Sequence, residues 1–385
     1  MMKAYVKYVV VIAVAGLIVF LSCLSFAAGR NLMSWQKRAM FYLEQPISNQ
    51  NADNTRQEIE KSWEEYQQNA AKEGYAQEDA GQEGAGQEDG KVDMTPEFCI
   101  WGQKDMVFVS NQDLGRNVQG CAILLCGNPE LVFEDCRKLD REDYEGCLVD
   151  EEMAWELFGS VDVEGEKVTC EGKDYTIRGV VPGNKKLFAF AVDGRQPKQQ
   201  TETGTAMETP ENVLNRITLQ MPEGKTVQEL HSEWNNSYNM SARLMDLELL
   251  QGVGGFCMLL VPVSLCACLL WYLYRRFRKQ EHPFWKVGIA VLAVLLLALF
   301  GMFLKNWIQI PDEYIPTRWS DFSFWSELWD GKREAAQLLR QMPKTIVDTG
   351  WMEGFTEVVG YGILSEVLAV LLIPVCAMLY RRIIK

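Results

Sequence analysis

The stretch Cys147-Leu-Val-Asp-Glu-Glu-Met-Ala-Trp-Glu-Leu-Phe-Gly159 decides the fold class of the region around it. It opens with a short apolar run typical of a strand, and Asp150 can cap the helix that follows because a carboxylate accepts backbone N–H groups there. Glu151 and Glu152 are favourable beside the positive end of that helix, and Gly159 can end it in a left-handed conformation. The predicted buried face of the helix consists of Met153, Ala154, Leu157 and Phe158.

Further strands are predicted on both sides of this stretch. Downstream, residues 167–170 and 175–181 flank Glu171-Gly-Lys-Asp174, a turn-forming tetrad, so they predict a hairpin. Upstream, the apolar runs 106–109 and 121–126 are bounded by Gly, Asn or Asp and also read as strands. The region is therefore predicted to be α+β.

Four apolar stretches are each long enough to cross a bilayer as a helix. They are residues 1–30, 253–274, 287–304 and 358–380. The first has a rival interpretation as a cleaved signal peptide, since Ser25-Phe-Ala27 could serve a signal peptidase and Leu21-Ser-Cys23 faintly suggests a lipoprotein site. Apolar residues continue past both sites, which favours a retained anchor.

Basic residues beside the spans predict their orientation, because cytoplasmic edges are enriched in Lys and Arg. These residues are Lys3, Lys7, Arg275, Arg276, Arg278, Lys279, Lys286, Arg381, Arg382 and Lys385. Placing all of them in the cytoplasm puts both termini there. The sequence therefore predicts a multi-pass protein of the cytoplasmic membrane, with an α+β extracytoplasmic domain between its first and second transmembrane helices.

The segments between the spans differ in their predicted structure. Residues 31–69 continue the first span at roughly helical spacing and predict a stalk helix, and residues 227–252 predict a return stalk. Residues 70–94 have few apolar side chains and predict a flexible acidic linker. The folded domain is expected over residues 95–226, and residues 305–357 form an aromatic-rich outer loop with an interfacial helix.

The charge of the chain excludes one class of partner. The formal net charge is −14. Between Arg30 and Glu248 acidic residues outnumber basic ones about two to one, which suits an exported region. Such a chain repels phosphates, so nucleic acid is not an expected partner.

The sequence from Leu148 to Gly159, followed by Asp162-Val-Glu-Gly165 and by the hairpin ending in Tyr175-Thr-Ile-Arg-Gly-Val-Val181, resembles the MacB-like periplasmic core domain. That family's pattern is a strand, a helix ending in Leu-Phe-Gly, a Gly-containing turn, and a hairpin whose second strand ends in Gly-Val-Val. Its permeases place this domain between the first and second of four membrane helices, which is the arrangement predicted here.

The resemblance implies a non-catalytic subunit related to ABC-type permeases. Such subunits do not pass cargo through a channel but transmit movements of a cytoplasmic ABC ATPase to an extracytoplasmic domain, and they work as homodimers. The predicted contact with the ATPase is formed by Arg275, Arg276, Arg278 and Lys279.

The sequence also departs from the family pattern. Few residues precede the first span, the cytoplasmic loop over residues 274–286 is short, and the outer loop over residues 305–357 is long. A short loop offers an ATPase little docking surface. The alternative is therefore a membrane-anchored extracytoplasmic binding or scaffold protein that keeps the fold but has lost ATPase coupling.

The cysteines of the predicted exported region could form disulfides, remain free thiols or bind zinc. They are Cys99, Cys121, Cys126, Cys136, Cys147 and Cys170. Their even number permits disulfides, whereas free thiols remain the alternative if the host lives without oxygen. Zinc is the weaker interpretation, because no Cys-x-x-Cys spacing occurs and the histidines are limited to His231 and His282.

One acid inside a predicted span is a candidate functional residue. Glu366 lies in the fourth span, where an ionised carboxylate costs several kcal/mol unless it is paired, protonated or near water. It is predicted to be an intramembrane functional acid or a neutral acid bonded to a neighbouring helix, with Lys305 as a candidate partner.

Aromatic residues of the outer loop are predicted membrane-interface anchors. They are Trp319, Phe322, Trp325 and Trp329. The last three fall on one face of a helix that Ser320 or Asp321 could cap, and indole rings favour the headgroup region of a bilayer. A lid or a partner-binding face is the alternative.

Catalysis finds little support in the sequence. It contains no Gly-x-Ser-x-Gly elbow and no phosphate-binding loop, and its acidic residues form local charge runs rather than spaced pairs. No catalytic residue, cofactor or metal ligand is therefore assigned.

Overall fold

The computed structural model describes residues 2–33, 35, 38–62, 97–133, 139–194, 213–221, 227–238, 241–307 and 323–383. The chain divides into two compact units. The helix unit comprises Met1–Gln36, Asp246–Gln337 and Asp348–Lys385. The sheet unit comprises Lys37–Met245 and Leu338–Val347.

The sheet unit is built on a nine-stranded sheet. Its strands are β1 (Arg38–Ile47), β2 (Phe98–Asn111), β3 (Arg116–Gly127), β4 (Gly146–Asp150), β5 (Lys167–Cys170), β6 (Lys173–Val181), β7 (Leu187–Ala191), β8 (Leu214–Gln220) and β9 (Ala242–Met245). The strand order is β3-β7-β4-β6-β5-β2-β8-β1-β9, and β3 also pairs with β2. Six strands therefore close into a ring, and β8, β1 and β9 extend from β2 as a flank.

The stretch around Asp150 folds as the sequence predicts. Strand β4 leads into α3 (Glu151–Phe158), and Asp150 Oδ1 accepts a hydrogen bond from Met153 N at 2.9 Å. Gly159 ends the helix with φ 77°, in the left-handed region that favours glycine. Met153, Ala154 and Leu157 are buried in the main core, and Phe158 packs against it.

The predicted hairpin is confirmed as β5 and β6. Cys170 and Lys173 are the last paired residues, so the turn contains only Glu171 and Gly172. Both have positive φ, 50° and 81°, as a two-residue turn that matches the strand twist requires. Lys173 and Asp174, predicted as turn residues, belong to β6.

Helices cover one face of the sheet. They are α2 (residues 49–62), α3 and α4 (Val227–Tyr238). Ile59 of α2, Leu157 of α3 and Trp234 of α4 share one core with Ile100 and Phe41 of the strands. Main-chain hydrogen bonds and this shared apolar core together hold the sheet unit.

The predicted stalk helix over residues 31–69 is wrong. Residues 38–47 form β1, in which Ala39, Phe41 and Leu43 alternate into the main core with the period of a strand. Residues 49–62 are helical, but α2 packs its buried Ala52 and Ile59 on the sheet. The predicted acidic linker, residues 70–94, lies outside the described residues.

The predicted return stalk over residues 227–252 is also wrong as a continuous helix. Strand β9 separates α4 from the second span and pairs with β1. The Asn235 side chain binds both the N–H and the carbonyl O of Ala242, at 3.1 and 3.0 Å. A side chain of α4 therefore bonds to the backbone of β9, the strand at the end of the sheet.

The domain predicted over residues 95–226 is too narrow, because β1, β9 and residues 338–347 belong to the sheet unit.

The helix unit contains four helices long and apolar enough to cross a membrane. They are α1 (Met2–Met33), α5 (Leu247–Lys279), α6 (Pro283–Trp307) and α8 (Ile346–Ile383). A further helix, α7 (Phe324–Gln341), lies between α6 and α8 along the chain. Since α8 begins at Ile346, the fourth span starts earlier than predicted and the outer loop is shorter than residues 305–357.

Candidate functional site

Small residues allow α1, α5 and α8 to approach closely. Ser25 Oγ of α1 donates to the carbonyl O of Val358 in α8 at 3.0 Å, in a buried position. A Cβ added at Gly362 of α8 would lie 2.9 Å from the carbonyl O of Cys257 in α5. Close backbone contact and interhelical hydrogen bonds are the interactions that hold helices together in lipid. In contrast, the apolar window of α6 has no buried residue within the helix unit.

Glu366 lies on the packed side of α8. It follows Gly362, which packs on α5, and precedes Ala369, which packs with Ile18 of α1 and Val261 of α5. Its Oε2 atom is buried and has no hydrogen-bond partner among the described residues. No ion pair with Lys305 occurs in the described part of the chain. Its role as a functional acid stays a prediction.

The four basic residues predicted to contact an ATPase lie on a helix end rather than in a loop. Arg275, Arg276, Arg278 and Lys279 are all exposed on the last turns of α5. Cations are favourable there because the helix dipole is negative at its C-terminus. Only residues 280–282 separate α5 from α6, so the predicted loop over residues 274–286 is mostly helical.

A buried ion pair joins α7 to the start of α5. Asp246 Oδ1 accepts from Leu249 N at 3.0 Å and caps α5, while Oδ2 accepts from Lys332 Nζ at 2.6 Å. The two side chains are only 6% and 7% exposed. The pair therefore holds α7 at the end of a candidate span.

Two predicted interface anchors lie on the same side of α7 as Lys332. Trp325 and Trp329 are 52% and 71% exposed, and their spacing from Lys332 puts the three residues on one helix face. Trp319, Phe322 and the predicted caps Ser320 and Asp321 lie outside the described residues. The role of Trp325 and Trp329 as membrane-interface anchors stays a prediction.

Residues Leu338–Val347, which we call the docking segment, belong to the sheet unit. Arg216 of β8 is 0% exposed, and its Nη2 donates to the carbonyl O of Pro343 at 2.6 Å. Its guanidinium carbon lies 4.6 Å from the ring centroid of Tyr42. The Ile346 N–H donates to Gln103 Oε1, also at 2.6 Å. The docking segment therefore lies on the face of β8 and β2 opposite α2, α3 and α4.

Arg216 and Gln103 are absent from the sequence-based candidates. The signal available was an arginine inside an apolar strand, Leu214-Asn-Arg-Ile-Thr-Leu219, because a charged residue at such a position needs a partner. The sequence alone does not show that the partner is a carbonyl more than a hundred residues away.

A second buried charge cluster lies on α2 and reaches the loop before β4. Arg56, whose side chain is 3% exposed, donates to Asp53 Oδ1 from Nη2 at 2.9 Å, and its Nη1 reaches Glu60 at 3.2 Å and Glu142 at 3.4 Å. Burial alone would lower the pKa of Arg56, but the hydrogen bond to Asp53 and the nearby Glu60 raise it above its ordinary value. The guanidinium therefore stays charged.

The described cysteines of the exported region are free thiols, and Cys136 lies outside the described residues. Cys99, Cys126, Cys147 and Cys170 are buried. Burial raises the pKa of Cys126 and of Cys170 to about 12. These thiols therefore stay neutral and serve as small apolar core residues.

The raised pKa values of Cys126 and Cys170 predict that the protein loses stability at alkaline pH. Their pKa is raised above the ordinary 9.0, so the stabilisation from keeping them neutral is complete below pH 9 and is lost as the pH rises toward 12. Each thiol should contribute up to about 1.4 kcal/mol per pH unit within that window. The check is the urea midpoint of the full chain at pH 8 and pH 10, followed by circular dichroism. Cys170→Ala should show a smaller pH dependence, and an unchanged dependence would contradict the assignment.

No group of His, Cys, Asp and Glu among the described residues could hold a metal ion. His231 lies in α4, where its Nε2 atom is 2.6 Å from the carbonyl O of Ala242. It therefore contacts the edge strand and is not paired with a nucleophile.

No protein-family model matches the sequence, and no curated protein matches it. Several solved structures are similar, among them the following three. The extracellular domain of the noncanonic ABC-type transporter YknZ from Gram-positive bacteria is 13% identical, with a TM-score of 0.27 over 39% of this chain and 81% of that one. The periplasmic region of MacB from Actinobacillus actinomycetemcomitans is 8% identical, with a TM-score of 0.35 over 56% and 92%. A domain of a permease protein from Porphyromonas gingivalis is 14% identical, with a TM-score of 0.24 over 39% and 72%.

The sheet-rich part of this chain resembles the periplasmic domains of ABC-type transporters. The resemblance stated from residues 148–181 names the same class of domain. TM-scores below 0.5 describe a partial likeness and carry no conclusion about partners or cargo.

Proposed function

We propose that the chain is a permease-like, non-catalytic membrane subunit of an ABC-type export or mechanotransmission system. In this function it works as a homodimer and couples a cytoplasmic ABC ATPase to its sheet unit, which lies outside the cell membrane, with both termini inside. Such a protein needs spans that respond to the ATPase and short connections from those spans to the exported domain.

The observation that carries the proposal is the way the spans join the sheet unit. Residues 34–37 separate α1 from β1, Asp246 alone separates β9 from α5, and the docking segment runs directly into α8. Strands β9, β1 and β8 are consecutive neighbours in the sheet. Three spans therefore connect to one flank of the sheet without long flexible linkers, which would absorb a movement before it reached the sheet.

The second candidate is a membrane-anchored binding or scaffold protein without a motor. The short connection between α5 and α6, residues 280–282, favours it. A stable protein interface buries about 800 Å² on each partner, and a helix end with so short a turn offers only part of that area.

The deciding experiment is affinity purification of the full chain in mild detergent, with mass spectrometry of its partners and sizing of the complex. We expect a stoichiometric ATPase with two copies of this chain. Replacing Arg275, Arg276 and Arg278 by Gln should reduce the recovered ATPase at least about tenfold, because these side chains supply the electrostatic contact. Lys279 and Lys286 remain in this variant and preserve the basic cytoplasmic edge.

The matched control replaces three exposed basic residues outside the predicted ATPase contact. Lys305→Gln, Arg333→Gln and Arg340→Gln remove the same charge and should leave ATPase recovery unchanged. Recovery of the chain alone, from both wild type and control, would reject the coupled function and favour the anchored binding protein.

A further inference from the structure

The docking segment lies on a sheet face with a matching set of side chains. Arg216 of β8 has Tyr42 of β1 and Trp101 of β2 as its cross-strand partners, so the three residues share one face. Gln103 follows Trp101 on the same side by the alternation of a strand. The groups that bond to the segment therefore come from β8 and β2, and Tyr42 of β1 packs against Arg216.

The bonds to the segment are made to its backbone. A buried guanidinium that lacked an acceptor would be costly, and the Pro343 carbonyl O supplies one at 2.6 Å. The Gln103 amide O accepts the Ile346 N–H, one of the helix-start donors that have no acceptor within the helix itself. The segment thus accepts a hydrogen bond from a buried charge of the sheet, and the sheet accepts one from the start of α8.

The segment also has an ordered interior of its own. Leu338, Leu339 and Met342 are buried. Lys344 Nζ donates to the carbonyl O of Leu339 and to that of Met342, which fixes the chain where α7 ends. These contacts are typical of a packed element rather than of a loop that joins two helices.

We infer that the docking segment is a fixed part of the sheet unit, so that the chain enters α8 from a packed element rather than from a mobile loop. Ile346 and Val347 begin α8 and belong to the sheet unit, so the fourth span starts within that unit. The inference deepens the proposed function and rests on it only for the purpose that a fixed segment would serve. Arg216 is the positioning residue, because it acts by holding the segment.

Hydrogen exchange of the purified full-length chain in detergent, without an ATPase, tests the attachment. In the wild type, residues 338–347 should exchange as slowly as β4. In Arg216→Met they should exchange about 10- to 100-fold faster, since a hydrogen bond from a charged donor is lost, while β4 keeps its protection. If Arg216→Met also loses protection in β4, Gln103→Ala replaces it and should speed exchange at Ile346.

Arg243→Met is the matched control, because Arg243 of β9 is the cross-strand partner of Tyr42 on the other side. Its side chain is 41% exposed and pairs with Glu44, so its loss should not change exchange of the segment. Fast exchange of residues 338–347 in the wild type would overturn the attachment, as would equal protection in wild type, Arg216→Met and Gln103→Ala. Neither result depends on whether an ATPase co-purifies, so the two proposals fail separately.

Discussion

Replacing Lys332 by Met should release α7 from the start of α5. The substitution leaves the Asp246 carboxylate buried without its cation, and breaking a buried pair in this way costs about 3–5 kcal/mol. Trypsin cleavage after Arg333 reports the release, because this residue is exposed on α7 but needs local opening of the helix for cleavage. We expect cleavage to become at least about 100-fold faster in the full chain.

Two further variants separate the charge effect from a general loss of stability. Asp246→Asn combined with Lys332→Met removes both charges and keeps an asparagine that can cap α5, so most of the resistance to trypsin should return. Arg243→Met removes an exposed pair with Glu44 and should cost less than about 1 kcal/mol. If Lys332→Met is cleaved no faster than Arg243→Met, the buried pair does not hold α7.

Replacing Arg56 by Met should destabilise the sheet unit by a similar amount. Asp53, with a side chain 5% exposed, would lose both of its hydrogen bonds from Arg56, at 2.9 and 3.1 Å. The expected cost is about 3–5 kcal/mol, because the carboxylate stays buried without a cation. Labelling of the buried Cys147 thiol against urea concentration measures it, since this thiol reacts only after the sheet opens.

The controls for Arg56 use a more exposed pair on the same sheet. Arg178 Nε and Asp143 Oδ2 are 2.7 Å apart, with side chains 39% and 19% exposed, and Arg178→Met should shift the labelling midpoint much less. Asp53→Asn with Arg56→Met should recover part of the loss, because no charge then remains buried in that pair. Equal midpoints for Arg56→Met and Arg178→Met would show that α2 is held by its apolar contacts alone.

Asp150 and β1 show which kind of feature the sequence predicted and which kind it did not. The cap at Asp150, the helix end at Gly159 and the hairpin around Gly172 depend on residues close together in the chain, so local rules predicted them. The apolar side chains of residues 38–47 are compatible both with the period of a helix and with that of a strand. Pairing with β8 and β9, from distant parts of the sequence, decides that this segment is a strand.

The residues of the candidate site also divide into those that the sequence indicates and those that only the structure identifies. The exposed Arg275, Arg276, Arg278 and Lys279 are visible in the sequence as a charge run beside an apolar span. Lys332 and Arg56 look like ordinary charged residues in the sequence, and Arg216 shows there only that it needs a partner. Packing set the partners of Arg216 and Lys332, because a buried charge must find an acceptor wherever the fold brings one. Asp53 and Glu60, in contrast, lie one helical turn from Arg56.

The sequence by itself determined the four apolar spans and the α+β character of the region between the first two, since both follow from hydropathy and local periodicity. Only the tertiary structure decided that six strands close into a ring, that three spans connect to one flank of the sheet, and that residues 338–347 bind to that flank. These features depend on hydrogen bonds between residues far apart in the chain, and local composition does not encode which distant groups will meet.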